Sequence, residues 1–391
     1  MGRSDREYVL SQKGIAMEPK PKPLPVGADL IQLVRGLFVI TDPGRDQDDE
    51  DVLVMLNRAV RLGILECLGV VANLRPSQMR ARLARGTLNI LGLKDVPVGF
   101  GSGFEMLHDD GLAYEFRAGY LAGENEVVSG YQMIRSTFER APKGGIVLTL
   151  ISQLTDAAAV LRNEPELFCD KVRRVVIMGG VVAEGDVPKL DEQGRLIPDP
   201  EAQNHKFDLA STEYLYRELQ NRGIPITVLS RHAAAAAKVT RAVYDEMADT
   251  GHPVGLRLHD AQLNAIEELW RRANLPGDHV SRLGLPARCD RAWFCKAFCG
   301  GEGQEVAADG SIWPFVKTFM LYDPCTLLAA MPGLREYFFS PYVYEYNGVE
   351  NFVIGVNAAR HNVARPAELS GYLLNALVSS LQMSQSDAQY A

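Results

Sequence analysis

From Gly36 onward, short apolar runs rich in β-branched residues alternate with longer stretches whose apolar positions recur every three or four residues. The runs GLFVIT, ILECLGVVAN, VPVGFGSG, GIVLTLIS, RRVVIMGG and IPITVLS read as buried strands, each closed by a small or polar residue. Between them, DDEDVLVMLNRAVRLG, PSQMRARLARGTLNILGL, QLTDAAAVLRNEPELF and ASTEYLYRELQNRG carry helical spacing, with Pro76 in the first turn of the second. Strands that are apolar without interruption must be covered on both faces. The alternation therefore predicts an α/β fold: an open, mostly parallel sheet with helices on both sides.

The rhythm breaks over residues 233–321, which are helix- and loop-rich and read as a helical insertion capping the strand ends. PYVYEYNGVE and NFVIGVNAAR then predict a hairpin turning at Asn347-Gly348. Residues 1–35, with PKPKPLP, read as an extended N-terminal segment and linker. One domain spans 36–375, and 376–391 read as a polar tail.

Composition narrows the setting. The chain has 391 residues, 47% of them hydrophobic and 23% charged, which suits a soluble protein with a real core. A formal net charge of -8 disfavours a nucleic-acid polymer as partner but leaves room for a small phosphorylated ligand. No apolar run approaches the ~20 residues that span a bilayer, so no membrane partner is expected. The start lacks the apolar core of a secretory signal, and Arg6 stands where myristoylation wants Ser or Thr. The six scattered cysteines fit reduced thiols in a cytoplasmic setting. Cys289, Cys295 and Cys299 lie close together, but zinc needs a fourth well-spaced ligand and His279 is awkwardly upstream.

The candidate chemistry lies in VITDPGRDQDDEDVLVML, residues 39–56. Asp42 follows directly on the first strand, at the rim where open parallel sheets bind ligands. Pro43-Gly44 turns the chain, and Asp48 or Asp49 opens the next helix. First-turn acids favour the positive end of a helix dipole, which accounts for Glu50 and Asp51 as ordinary acids facing solvent. Asp42 and Asp46 precede the helix and need another reason. Carboxylates converging on one point are stable around a hard cation, and calcium suits such a loop. An EF-hand is excluded because its sixth and twelfth positions would be Gln47 and Leu53. Asn73, Ser152 and the MGGVVAEGD loop end other strands at the same rim, and Asp323 opens a later helix.

These motifs resemble the nucleoside hydrolases of the inosine-uridine-preferring type. VVANL, VPVGFG, LISQLTDAAAVL, VVIMGGVVAEGD, QNHKFD and YDPC follow in that family's order over about 36–360. The form TDPGRDQDDED, with Gln47 and Asp48 inserted, is most similar to one branch, the nucleoside-hydrolase-like type III effectors of plant pathogens (XopQ type). The resemblance implies a calcium ion held by Asp42 and Asp49, with Asp46 or Asp48 beside them, Asp323, and the main-chain carbonyl of Ile151. It implies that Asp42 takes the proton of an attacking water, that the N-glycosidic bond breaks through an oxocarbenium-like state, and that Asn73, Asp186 and Asn204 hold ribose hydroxyls.

Two departures matter. Tyr322 stands where inosine-preferring members place a histidine, and a phenol of ordinary pKa ~10 is a poor acid for a leaving base. Loss of a general acid typically costs ~10²- to 10⁴-fold in rate. Ala202 stands where the ribose loop usually offers glutamate, with Glu201 one position off. Two readings follow: a calcium-dependent N-ribosyl hydrolase with Tyr322 in place of the leaving-group acid, or a catalytically weak effector that binds a ribosylated ligand or a host protein. The implied partner is a nucleoside or ribosylated nucleotide, and an oligomer is compatible. The setting is cytoplasmic, in a host cell if the effector resemblance holds. A metal-dependent phosphatase is disfavoured, since no Asp-x-Asp pair follows a strand and no Gly-rich loop with lysine is present.

Overall fold

The computed structural model describes residues 34–103, 114–282 and 285–390, with the side chains of 387–390 left aside. The N-terminal linker thus lies outside the described residues up to position 33, while Val34 and Arg35 already belong to the first strand.

In chain order the first half comprises β1 (Val34–Thr41), α1 (Asp48–Arg61), β2 (Leu65–Ala72), α2 (Ser77–Ile90), β3 (Val98–Phe100), β4 (Val128–Ser129), α3 (Gly130–Arg140), β5 (Ile146–Leu150), α4 (Thr155–Asn163), α5 (Pro165–Lys171) and β6 (Val172–Gly179). A small hairpin follows, β7 (Ala183–Glu184) with β8 (Val187–Pro188), then α6 (Gln203–Lys206), α7 (Leu209–Asn221) and β9 (Ile226–Ser230). The helical insertion holds α8 (Arg231–Ala236), β10 (Val239–Thr240), α9 (Ala242–Asp249), α10 (Pro253–Ala273), α11 (Arg291–Phe298) and β11 (Thr318–Phe319). The chain closes with α12 (Tyr322–Ala330), α13 (Pro332–Phe338), β12 (Tyr342–Tyr346), β13 (Val349–Ile354) and α14 (Pro366–Tyr390).

The nine-stranded sheet runs β12-β13-β9-β6-β5-β1-β2-β3-β4, and every pairing is parallel except β12 with β13. The expected open, mostly parallel sheet with helices on both faces is therefore present. Alternate residues of β1 feed two cores: Leu37 and Val39 on one face, Phe38 and Ile40 on the other, all essentially without exposure. Helices α1, α2, α10, α12 and α14 cover the first face, while α3, α4 and α7 cover the second. The insertion's Trp270, Phe294 and Phe298 share the first core. Asn347 and Gly348 turn the β12–β13 hairpin with positive φ of 50° and 76°.

Chain order reverses about β1, which has β2 on one side and β5 on the other. That topological switch point is where a ligand crevice opens beyond the carboxyl ends of the strands. The tips lie level there: the Asn73 amide donates to the Thr41 carbonyl at 2.9 Å, and the Ile151 amide to that of Ile40 at 2.9 Å.

The polar tail assigned to 376–391 is overturned. Helix α14 runs through it and buries Ala376, Leu377 and Leu381 against the first core. Ser380 and Ser384 are also buried, because Asn57 of α1 donates to both hydroxyls at 2.9 Å. Small serines let the two helices approach closely, so polar composition concealed a packed face.

Candidate active site

The acidic loop is built by its surroundings before its carboxylates act. Gly44 has φ +140°, and a side chain there would meet the Arg80 guanidinium and the Phe116 ring. Arg80, buried on α2, donates to the carbonyls of Asp42 at 2.8 Å and Pro43 at 3.1 Å. Gln47 caps α1 through its main chain and turns its side-chain amide back onto the carbonyls of Gly44 and Arg45, at 3.3 and 3.1 Å. The turn is thereby satisfied from inside and from behind.

On this frame Asp49 Oδ1 accepts from the Thr41 hydroxyl and, at 2.8 Å, from the Asp42 amide. Asp48 Oδ2 accepts from the amides of Tyr322 and Asp323, at 3.0 and 3.3 Å, and so caps α12, whose own N-cap residue Leu321 offers no side-chain oxygen. Carboxylate oxygens of Asp48, Asp49 and Asp323 all lie within 4.8 Å of one another, and all three residues are buried. Asp42 is half-buried beside them, and Asp46 is exposed at the mouth.

The electrostatics are those of a site short of positive charge. Burial first, then mutual repulsion, raises Asp42, Asp48 and Asp323 well above the usual carboxylate range and Asp49 to about 6, despite the Thr41 and Asp42 donors on Asp49. Arg80 and Ser152 oppose the rise at Asp42. Asp46 is raised too, chiefly by burial, although its surface is solvent-accessible. Among the described residues no lysine or arginine forms an ion pair with Asp48, Asp49 or Asp323. Converging oxygen donors without a counter-charge fit a hard divalent cation.

Glu50 and Asp51 do not face solvent, contrary to the expectation from sequence; both are fully buried. Helix α1 is enclosed by the sheet and by the insertion, whose Arg257 on α10 pairs with Glu50 while Thr87 and Tyr120 add hydroxyl donors at 2.7 and 3.1 Å. Asp51 Oδ2 accepts from the Tyr244 hydroxyl of α9 at 3.1 Å. Arg257 and Tyr244 lie far along the chain in the insertion, beyond the reach of local pattern.

The other candidates divide. Ile151 is buried directly after β5, next to β1. Asn73 is fully buried with its amide committed: it donates to the Gln153 carbonyl at 3.1 Å and to Asp156 at 2.8 Å, and accepts from Ser152. It braces strand ends in this structure. Asn204, half-buried on α6, donates to the Met178 carbonyl at 3.3 Å, at the end of β6. Asp186 is exposed in the β7–β8 turn, where Asn357 and Arg360 bind it, and none of its described contacts is with the carboxylate cluster.

The sequence pattern of inosine-uridine preferring nucleoside hydrolases matches residues 37–338. The chain belongs to this nucleoside hydrolase family. Among solved structures it is similar to the type III effector protein XopQ complexed with adenosine diphosphate ribose, with 32% identity, TM-score 0.76, and coverage of 90% of this chain and 95% of that one. The effector protein XOO4466 gives 31% identity and TM-score 0.75 over the same shares. The purine-preferring ribonucleoside hydrolase from Gardnerella vaginalis, at 13% identity and TM-score 0.55 over 89% and 99%, shares the fold. No curated protein sequence matches.

Tyr322 stands at the position where the sequence resemblance expects a leaving-group acid. Tyr322 is half-buried at the start of α12, its hydroxyl donates to the Met320 sulfur at 3.3 Å, and burial together with Asp48 and Asp46 raises its pKa. A phenol so placed holds its proton still more tightly than a free one. Ala202 is buried as the N-cap of α6, and Glu201 is exposed and paired with Lys206 at 2.8 Å. His205, which sequence reading passed over, is buried between the Asp199 carbonyl and the Tyr216 hydroxyl, and burial lowers it to about 4. It is a neutral packing residue. Arg80 and Arg257 were also missed, since only the fold brings them to the acidic loop.

Proposed function

We propose that this nucleoside hydrolase binds the ribose of a nucleoside or ribosylated nucleotide over a calcium ion and hydrolyses its N-glycosidic bond. The observation that carries the reading is the buried trio Asp48, Asp49 and Asp323, whose oxygens converge within 4.8 Å and which, among the described residues, form no ion pair with a lysine or arginine. Asp42 and the Ile151 carbonyl would complete the ligand set, with Asp46 at the mouth. A bound divalent cation supplies a Lewis acid that orients hydroxyl groups and makes water a nucleophile near neutral pH. Asp42, at the tip of β1, is the group to accept the proton of the attacking water. Asn204, half-buried at the end of β6, would hold a sugar hydroxyl.

The ligand class follows from the charges around that centre. Arg45 and Arg272 lower Asp46, and Arg231 lowers Tyr322, so guanidinium charge reaches the acidic core even though Arg45 also pairs with Glu115 and Arg231 with Asp199. A ribose carrying phosphate, such as the adenosine diphosphate ribose bound by XopQ, would set its sugar on the carboxylates and its phosphates among these groups.

Tyr322 favours the second reading for turnover: a leaving base that receives no proton departs slowly, so tight binding of a ribosylated ligand, or of a host protein, can be the working activity. In that case the protein acts in the cytoplasm of a host cell. The test is calorimetry with calcium and then adenosine or adenosine diphosphate ribose, followed by base release from the wild type and Asp42→Ala. Absence of both metal and ribose binding would overturn the proposal; binding without release selects the second reading.

A further inference from the structure

The inserted loop form, Gln47-Asp48 between Asp46 and Asp49, has a mechanical reading. Gln47 is 1% exposed and links three elements. Its Nε2 donates to the Gly44 and Arg45 carbonyls, its Oε1 accepts from Arg257 Nη1 at 3.2 Å, and its main-chain carbonyl accepts the Glu50 and Asp51 amides that open α1. Because both loop carbonyls can only accept, the orientation of the Gln47 amide is fixed, and its oxygen must face the arginine. Arg257 is itself anchored by the Glu50 carboxylate and by the Glu115 carbonyl. The Glu115 side chain meets Arg45 at 3.1 Å and Arg80 at 3.7 Å, and Arg80 holds the carbonyls of Asp42 and Pro43. Asp48 in turn carries the amides of α12, the helix that presents Asp323.

We infer that Gln47 and Arg257 are positioning residues for the cation site, a brace by which helix α10 of the insertion fixes the spacing of the Asp42–Asp49 loop. Neither side chain need touch the ion. The brace sets where the ligands stand, as outer-shell partners do in metal sites generally. The inserted helices and the carboxylate loop then form one unit, and disturbing α10 at Arg257 loosens the site from behind. The inference rests on the cation reading above.

The test measures calcium affinity by calorimetry on the full chain, with thermal unfolding in EDTA as a separate readout. Gln47→Ala removes the bridge and leaves the Arg257–Glu50 pair intact. Its calcium affinity is expected to fall roughly tenfold, while unfolding without metal shifts by no more than about 3 °C. The paired variant Arg257→Met with Glu50→Gln removes the buried charges together, so it keeps the fold while also weakening calcium. A brace that is only structural would lower the unfolding temperature and leave the affinity of the folded protein unchanged, which would overturn the inference. Wild-type affinity in both variants would overturn it equally. A folded wild type that binds no calcium would instead sink the cation reading, and the inference with it.

Discussion

Replacing Asp49 with asparagine should stabilise the metal-free protein. Asp49 is 4% exposed, and its carboxyl rises from the ordinary 3.8 to about 6, with burial the largest cause. The folded carboxyl keeps its proton up to about pH 6, whereas the unfolded one releases it near 3.8. The folded state thus binds more protons across that window, and stability falls as pH rises through it and stays reduced above. At about 1.4 kcal/mol per tenfold change in proton affinity, the neutral-pH cost is about 3 kcal/mol. Asparagine keeps the oxygen that accepts from Thr41 and the Asp42 amide, and it turns a donor towards Asp48 and Asp323. For a domain of this size, about 3 kcal/mol corresponds to about 4 °C in unfolding temperature. The assay is thermal unfolding in EDTA at pH 7.5 and at pH 4, and again with saturating calcium. Asp49→Asn should melt higher than wild type at pH 7.5 without metal, and the gap should close at pH 4. Calcium at ~1,000 times its dissociation constant would add about 4 kcal/mol to the wild type and little to the variant. A less stable Asp49→Asn in EDTA, or an equal calcium response, would refute the reasoning.

Three further outcomes follow from the same structure. Tyr322→Phe should leave base release within about twofold, because the phenol's raised pKa already withholds its proton; Tyr322→His should raise it by at least about tenfold near neutral pH, measured by release of free base. Tyr244→Phe leaves the buried Asp51 without its hydroxyl donor and should cost about 1–3 kcal/mol in denaturant unfolding. Leu381→Ala opens a void between α14 and the first core and should cost about 2–5 kcal/mol by the same measurement, an effect a solvent-exposed polar tail would not show.

What was legible in the sequence follows the range of the forces involved. Strand and helix identity rest on local periodicity, so the parallel sheet, the hairpin at Asn347-Gly348 and the placement of Asp42 at a strand tip could be read directly. Helix α14 could have been read from Leu373, Leu377 and Leu381, which recur every four residues, but the serines between them masked the face. The partners of Glu50 and Asp51 could not be read at all. Arg257 and Tyr244 lie about 200 positions away in a segment with no fixed relation to the loop. Asn73 shows the converse limit: its position at a strand end was legible, but its commitment to Gln153, Asp156 and Ser152 depends on neighbours only the fold supplies.

The acids of residues 42–51 are tolerable because each meets a different compensation. Glu50 is neutralised by a buried guanidinium, and Asp51 is met by a phenol. Asp48 and Asp49 spend an oxygen each on backbone amides, where the N-termini of α12 and α1 also present the positive ends of their dipoles. Those amide bonds answer one oxygen of each carboxylate, and the carboxylates of Asp48, Asp49 and Asp323 still converge within 4.8 Å, with no lysine or arginine in an ion pair with them among the described residues. The arginines stand behind the loop: Arg80 grips its carbonyls, and Arg257 grips Gln47 and Glu50. Positive charge held behind and withheld in front leaves an inward-facing deficit at one point. A chain selecting only for stability would have placed a lysine there. On the proposed reading, a small, exchangeable cation at that point would leave coordination positions open to water and to a sugar.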